Sequence, residues 1–235
     1  MSQPKSSAPA WSAAVMCYNE KDCLAEMVQR TLSVLRRRGE AFEILIIDDG
    51  STDGSAQIAD TLAAAHPEVS VRHHPKNLGI GAVLLAGYHL TKGQVVAVLP
   101  ADLQFAPEDL PAALDRMAGA DVLSILRRER NDPLPRKLIS LADRLLVWLL
   151  FGLAAKDLHW VKLYRREVLE KIKVQSNTPL VDTELLIKAK RLGARMAELS
   201  LPQHPRSAGK SKGGNWRLLL KTFLELLRLR LNIRD

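Results

Sequence analysis

Apolar positions along the 235-residue chain follow two different periods. Short β-prone runs occur at Ala13 to Met16, Glu43 to Ile47, Val69 to His73, Gln94 to Leu99 and Asp121 to Leu126, each followed by a longer stretch of helical spacing. That alternation predicts an α/β fold, a mostly parallel sheet flanked by helices. Asp53 or Ser55 is placed to cap the helix after the second strand, and Pro107 with Glu108 and Asp109 reads as the first turn of the helix after the fourth. Past Ile139 the pattern changes to a long apolar helix, a strand around Trp160 to Tyr164, and helices near Asp182 to Leu192 and Trp216 to Leu231. In the last of these, Arg217, Lys221, Glu225 and Arg228 share one face, and Trp216, Leu220, Phe223, Leu224, Leu227 and Leu231 share the other. A basic amphipathic helix of this kind either docks on the domain or lies in a membrane interface, and its positive charge favours the membrane.

Composition narrows the class. A hydrophobic fraction of 47% suits one globular core, and the formal charge of +8 calls for an anionic partner. The excess is local: from Arg206 onward eight Lys or Arg face only Glu225 and Asp235. Cys17 and Cys23 have no zinc or C-x-x-C spacing, so a reducing compartment without a disulfide framework is expected. Met1 to Ala10 has no apolar core of a signal peptide, and the longest apolar run, Leu145 to Ala155, is too short to cross a bilayer. These features predict a cytoplasmic protein, peripheral on the inner face of a membrane.

In an open α/β sheet, ligands gather at the carboxyl ends of the strands. The polar clusters of this chain fall there: Cys17-Tyr18-Asn19-Glu20 after the first strand, Asp48-Asp49-Gly50-Ser51-Thr52-Asp53-Gly54 after the second, Pro100-Ala101-Asp102-Leu103-Gln104 after the fourth. Three loops are therefore expected to meet in one crevice. Adjacent carboxylates at Asp48 and Asp49 suit recognition of a nucleoside, although D-G-S-T-D-G is equally a turn with a helix cap. Asp102 and Gln104, two apart on a segment leaving a strand, can point the same way and offer oxygen ligands to Mg²⁺ or Mn²⁺; helix entry is the plainer alternative. Asn77-Leu78-Gly79-Ile80-Gly81 lacks the third glycine of G-x-G-x-x-G, since that position is Leu84, so a dinucleotide site is disfavoured. His73, His74 and His204 have no ligand partners at recognisable spacing and read as structural or surface residues.

Taken in order, Y-N-E, I-I-D-D-G-S-T-D-G, N-L-G-I-G-A and A-D-L-Q resemble the family 2 glycosyltransferases of GT-A fold, and among them the dolichyl- or polyprenyl-phosphate sugar transferases. The second half agrees. Arg127 to Arg136 resembles the family's basic acceptor loop, Asp157 to Arg166 its D-x-x-x-x-x-x-Y-R-R stretch, and V-D-T-E-L with H-P-R-S-A-G-K-S its closing motifs. The resemblance spans residues 12 to 213, which implies a flexible residue 1–11 segment before the GT-A domain and a basic helix at 214–235 after it. It implies transfer of a hexose from a UDP- or GDP-sugar to a polyprenyl phosphate, with inversion and with Mg²⁺ or Mn²⁺, at a membrane surface and without nucleic acid.

The same resemblance assigns roles. Tyr18 and Glu20 flank base and ribose, Asp48 and Asp49 bind the nucleoside, and Asn77, Gly79 and Ala101 line the donor site. Asp102 and Gln104 hold the metal, while Arg127, Arg136 and Arg206 grip phosphates, with Asp102 and these arginines as the catalytic set. Pro100 stands where the family usually has the first Asp of D-x-D. Two other functions stay open: a family 2 enzyme with a saccharide or lipid hydroxyl acceptor, and a catalytically silent nucleotide-sugar-binding module.

Overall fold

The computed structural model describes residues 8–128, 134–205 and 216–232. Its first half alternates strictly: β1 (Trp11–Cys17), α1 (Leu24–Arg38), β2 (Phe42–Asp48), α2 (Ser55–Ala65), β3 (Val69–His73), α3 (Ile80–Leu90), β4 (Val95–Pro100), α4 (Leu110–Arg116) and β5 (Val122–Arg128). A 3₁₀ turn over Pro107–Asp109 leads into α4, as Pro at a helix start and two acids in its first turn foretell. The second half contains α5 (Leu134–Phe151), β6 (Lys162–Arg165), α6 (Arg166–Glu170), α7 (Leu180–Arg191), β7 (Met196–Pro202) and α8 (Trp216–Asn232).

The seven strands form one sheet in the order β3-β2-β1-β4-β6-β5-β7. All neighbours are parallel except β6, which runs antiparallel to both β4 and β5. Both faces are apolar because successive side chains on a strand alternate sides. Val15, Ile44, Ile46, Ala97, Leu99 and Leu123 meet Leu24, Met27 and Leu35 of α1 on one face. Ala14, Leu45, Ile47, Val96 and Val98 meet Val83 and Leu84 of α3 and Leu185 of α7 on the other. The result is a three-layer GT-A fold with helices on both sides of the sheet.

The short β6 is held by the Tyr-Arg-Arg stretch at its end. Tyr164 is fully buried edge-on to Tyr88, ring centroids 5.3 Å apart. Arg165 donates to the carbonyls of Ala120 and Met117 at 2.9 and 2.8 Å, and Arg166 to those of Tyr88 and Thr91 at 2.7 and 2.6 Å. Two guanidiniums thus staple the reversed strand to the turns that precede β5 and β4, and in this structure the motif acts on the fold.

Both ends of the chain make contacts with the domain. The carbonyls of Pro9 and Ala10, within the 1–11 segment, accept from the amides of Gln94 and Val95. The C-terminal helix is not a separate appendage, because Leu226 and Leu229 of α8 are buried in the second core and Glu225 accepts a 2.6 Å bond from the Thr178 hydroxyl. Each buried leucine contributes about 1.5–3 kcal/mol to that docking. Phe223, Leu224, Leu227 and Leu231 remain exposed on the same helix, and Leu138, Leu141, Leu145, Trp148 and Leu149 are exposed along α5. Among the described residues no helix is long and apolar enough to cross a membrane.

Candidate active site

The register of the sheet places three strand ends side by side. Cys17 pairs with Asp48 and Met16 with Pro100, so the loops after β1, β2 and β4 leave one edge at the same height. Side chains then lace the first two loops together. Ser51 accepts the Asn19 amide at 2.9 Å, Asn19 accepts the Thr52 amide at 2.8 Å, and Ser55 accepts the Glu20 amide at 3.0 Å. Asp53 takes both the amide and the hydroxyl of Ser55, at 3.0 and 2.6 Å, fixing the start of α2. Asn19 sits at φ 53°, a left-handed conformation that Asn tolerates better than most residues. Tyr18 and Glu20 are left partly exposed at the rim.

Asp48 and Asp49 are each only 2% exposed. Burial of two neighbouring carboxylates demands donors, and the loop after β2, the end of β3 and the loop after it supply them. Asp48 accepts the Ser51 amide at 3.1 Å and faces Nδ1 of His73 at 2.9 Å. The other His73 nitrogen faces Asp60 on α2 at 3.0 Å. An imidazole can donate from both nitrogens only when protonated, and Asp48 first, then Asp60, holds the His73 pKa above its ordinary value. Asp49 accepts from the amides of Leu78 and Gly79 at 3.0 and 2.9 Å and faces Nδ1 of His74 at 2.7 Å. Gly50 lets this loop come close: it lies at φ 70°, and a Cβ there would stand 2.6 Å from the carbonyl carbon of Lys76. Asp49 therefore fastens the backbone of the Asn77–Gly79 loop to the end of β2. His73 and His74 are structural, as their spacing suggested, but what they support is this carboxylate pair. No motif foretold that pairing; the parallel register of Asp48 with His73 creates it.

After β4 the chain turns at once. The side chain of Asp102 accepts the Gln104 amide at 3.1 Å and Leu103 adopts φ 60°, an Asx-type turn in place of the extended segment from which a shared direction of Asp102 and Gln104 was expected. Ala101 is buried and its amide bonds the Met16 carbonyl at 3.1 Å, so Asp102, 5% exposed, is presented beside β1. The Gln104 carbonyl accepts the His204 amide at 3.0 Å, which ties the segment after β7 to this side of the site. Asp102 and Gln104 offer oxygen donors only, the type that Mg²⁺ and Mn²⁺ take. Among the described residues no cluster of three or more His, Cys, Asp or Glu is arranged to hold a metal, so a cation here needs oxygens from its ligand.

Arg127 is not presented as an open phosphate clamp. Its Nε and Nη2 form a two-pronged bond to Asp157 at 2.7 and 3.0 Å, its guanidinium lies 5.0 Å from the centre of the Trp160 ring, and the side chain is 8% exposed. The stretch that starts at Asp157 is thereby joined to the end of β5. The Arg136 side chain and Arg206 lie outside the described residues.

The two acids of V-D-T-E-L sit inside the fold. Glu184 is fully buried and accepts from the amides of Gln175 and Ser176 at 2.9 and 2.8 Å and from Lys188 Nζ at 2.5 Å. Asp182 accepts the Tyr88 hydroxyl at 2.7 Å and lies 3.6 Å from Nζ of Lys162, a lysine only 1% exposed. Cys17 and Cys23 are buried free thiols, and burial raises the Cys17 pKa to about 11.

A three-layer arrangement of this sheet order, with helices on both faces, is the GT-A fold. Residues 12–173 match glycosyl transferase family 2, and the chain belongs to that family. It is 33% identical over 211 residues to the undecaprenyl-phosphate 4-deoxy-4-formamido-L-arabinose transferase of Pseudomonas aeruginosa (strain LESB58), covering 88% of this chain and 61% of that protein. The enzyme of the same name from Pectobacterium carotovorum subsp. carotovorum (strain PC1) is 35% identical over 162 residues, 67% of this chain and 49% of that one. The chain thus spans about half to three fifths of these relatives' length. Among solved structures, glucosyl-3-phosphoglycerate synthase from Mycobacterium tuberculosis, in complex with Mn²⁺, uridine diphosphate and glucosyl-3-phosphoglycerate, superposes with a TM-score of 0.70 at 18% identity, over 97% of this chain and 81% of that one. A mannosyltransferase from Pyrobaculum calidifontis, in complex with GDP-Man and Mn²⁺, gives 0.62 at 18% identity, over 95% and 65%.

Proposed function

We propose that this chain transfers a sugar from a UDP- or GDP-linked donor to a polyprenyl phosphate at a membrane surface, with inversion at the anomeric carbon. The observation that carries the reading is the alignment of the ends of β1, β2 and β4, which sets the segments bearing Tyr18, Glu20, Asp48, Asp49 and Asp102 side by side. The names of the relatives, which specify an undecaprenyl phosphate, support the acceptor. Their sugar is a pentose, so the expectation of a hexose widens to hexoses and pentoses alike.

In this reading the rim residues Tyr18 and Glu20 flank the nucleoside, Asp48 accepts from it, and the loop held by Asp49 closes over it. Asp102 and Gln104 hold Mg²⁺ or Mn²⁺ against the diphosphate; structural relatives were solved with Mn²⁺ or Mg²⁺ and uridine diphosphate. The ion when bound stabilises charge on the departing diphosphate. A phosphate monoester, with a second pKa of about 6, is already largely dianionic at neutral pH and attacks without a base. What it needs is guidance, which Arg136 and Arg206 supply, Arg127 being engaged by Asp157. The exposed apolar side chains of α5 and α8 rest on the lipid surface, and the basic tail adds attraction to anionic headgroups.

The test is transfer of label from UDP- and GDP-linked hexoses and pentoses into an organic-phase product, with polyprenyl phosphate as acceptor. Labelled lipid phosphate from one donor, lost in Arg136→Ala and Arg206→Ala, is the expected result. Product with a lipid or saccharide hydroxyl acceptor alone would overturn it, and donor binding without transfer or hydrolysis would identify a silent binding module.

A further inference from the structure

His74 stands at the junction of β3 and the loop that reaches the donor crevice, and it is tied to both acids of the strand-two motif. Its backbone amide donates to the Asp48 carbonyl at 2.8 Å, and its Nδ1 lies 2.7 Å from Oδ1 of Asp49. Its side chain is 11% exposed, so the contact is shielded from water on most sides. An ionised carboxylate only accepts, so Nδ1 carries the proton and the imidazole is the donor. Asp49 uses the same Oδ1 for the Leu78 amide and Oδ2 for the Gly79 amide. With three donors on one buried carboxylate, about one of its roughly four acceptor sites remains for a ligand. Asp49 is 3% exposed with His74 in place; removing the imidazole leaves it only the Leu78 and Gly79 amides and gives the carboxylate freedom to turn toward water.

We infer that His74 is a positioning residue for the nucleotide half of the donor: it fixes the rotamer of Asp49, and through Asp49 the backbone of Leu78 and Gly79 that closes over the nucleotide. The inference rests on the donor-site reading above. A positioning role in the donor site alone changes donor affinity and leaves the chemical step and the acceptor untouched. Asparagine places an N–H close to where Nδ1 stands, whereas glutamine carries its N–H one bond further out, nearer Nε2. The conservative replacement is therefore His74→Asn.

The experiment measures UDP and GDP binding by calorimetry, and donor KM, acceptor KM and kcat in the transfer assay, for wild type, His74→Ala, His74→Asn and His74→Gln. The expected result is about a tenfold loss of nucleotide affinity and a matching rise in donor KM for Ala and Gln, the scale of one charged hydrogen bond, with Asn within about threefold of wild type. Acceptor KM and kcat stay within about twofold throughout. Amide exchange at Leu78 and Gly79 speeds up in the variants that lose affinity. Equal affinity in all four proteins overturns the role of His74 while leaving the donor site intact. A fall in kcat with unchanged donor KM overturns it as well. Wild type that binds neither nucleotide sinks the donor-site reading itself, and this inference with it. Should the Ala variant fail to fold, the Asn and Gln pair decides: equal affinities in those two refute the placement of the donor at Nδ1.

Discussion

Glu184→Gln distinguishes a carboxylate that builds the fold from one that does chemistry. The wild-type side chain, fully buried, receives two backbone amides and the ammonium of Lys188 one helical turn away. Glutamine keeps one oxygen acceptor and turns the other into an NH₂ group, which must face the Ser176 amide in one flip or both the Gln175 amide and Lys188 in the other. One charge-assisted bond is lost and one donor meets a donor. Lys188 is 18% exposed and can swing partly into water, which trims the penalty below that of a fully enclosed pair. The sum is about 2–4 kcal/mol. For a domain of this size each kcal/mol moves Tm by about 2–4 °C, so the variant should melt roughly 4–16 °C lower. Thermal unfolding followed by circular dichroism measures that shift. Transfer to polyprenyl phosphate, assayed well below the lowered Tm and normalised to folded protein, should stay within a few-fold of wild type. An unchanged Tm would refute the structural role of Glu184. A folded variant whose transfer falls by about 10²- to 10⁴-fold would make it a general base, and the acceptor a hydroxyl.

Three further outcomes follow from the same geometry. Asp102→Ala should lower kcat far more than UDP or GDP affinity, by about 10²-fold, because its partner charge develops on the leaving diphosphate; full activity in excess chelator would remove the metal from the mechanism. Gly81→Ala should destabilise the domain by about 1–3 kcal/mol, since its Cβ would lie 2.1 Å from the Asn177 carbonyl oxygen and neither backbone is free to yield; an unchanged Tm would refute the contact. His73→Asn should be less stable than wild type at low pH and converge with it as pH rises. The His73 pKa is raised by Asp48 and then Asp60, so its contribution is complete below the unfolded value of about 6.5 and fades as pH climbs through the higher folded value. A gap in Tm that stays constant from pH 5 to 9, on the scale of about one pKa range either side of neutral, would contradict that linkage.

The alternation of short β-prone runs with helical stretches was enough to specify the first five strands and their helices, because two-faced burial of a parallel sheet requires apolar residues on both sides of every strand. Observed β3, Val69–His73, coincides with its expected range. The three strand-end clusters were also legible, since polar residues after an apolar run have only the strand's carboxyl end to occupy. β7 was not. Met196–Pro202 is an edge strand with most of its side chains at least partly exposed, so its apolar signal is thin and its partner β5 lies some 70 residues back. The reversal of β6 likewise depends on where Arg165 and Arg166 find carbonyls, which no local pattern encodes.

For the site, residue types and order were written in the chain, but their partners were decided by register and close approach. Asp48 meets His73 because β2 and β3 pair in parallel, and Asp49 meets Leu78 and Gly79 because Gly50 allows the loop within contact of the β2 end. Arg127 turned inward to Asp157, 30 residues away, where the family resemblance had implied a grip on phosphate. Composition along the chain determines which groups can ionise, bond or pack; only the tertiary structure decides which of them face one another, because a hydrogen bond of about 3 Å is set by the fold and not by separation in sequence.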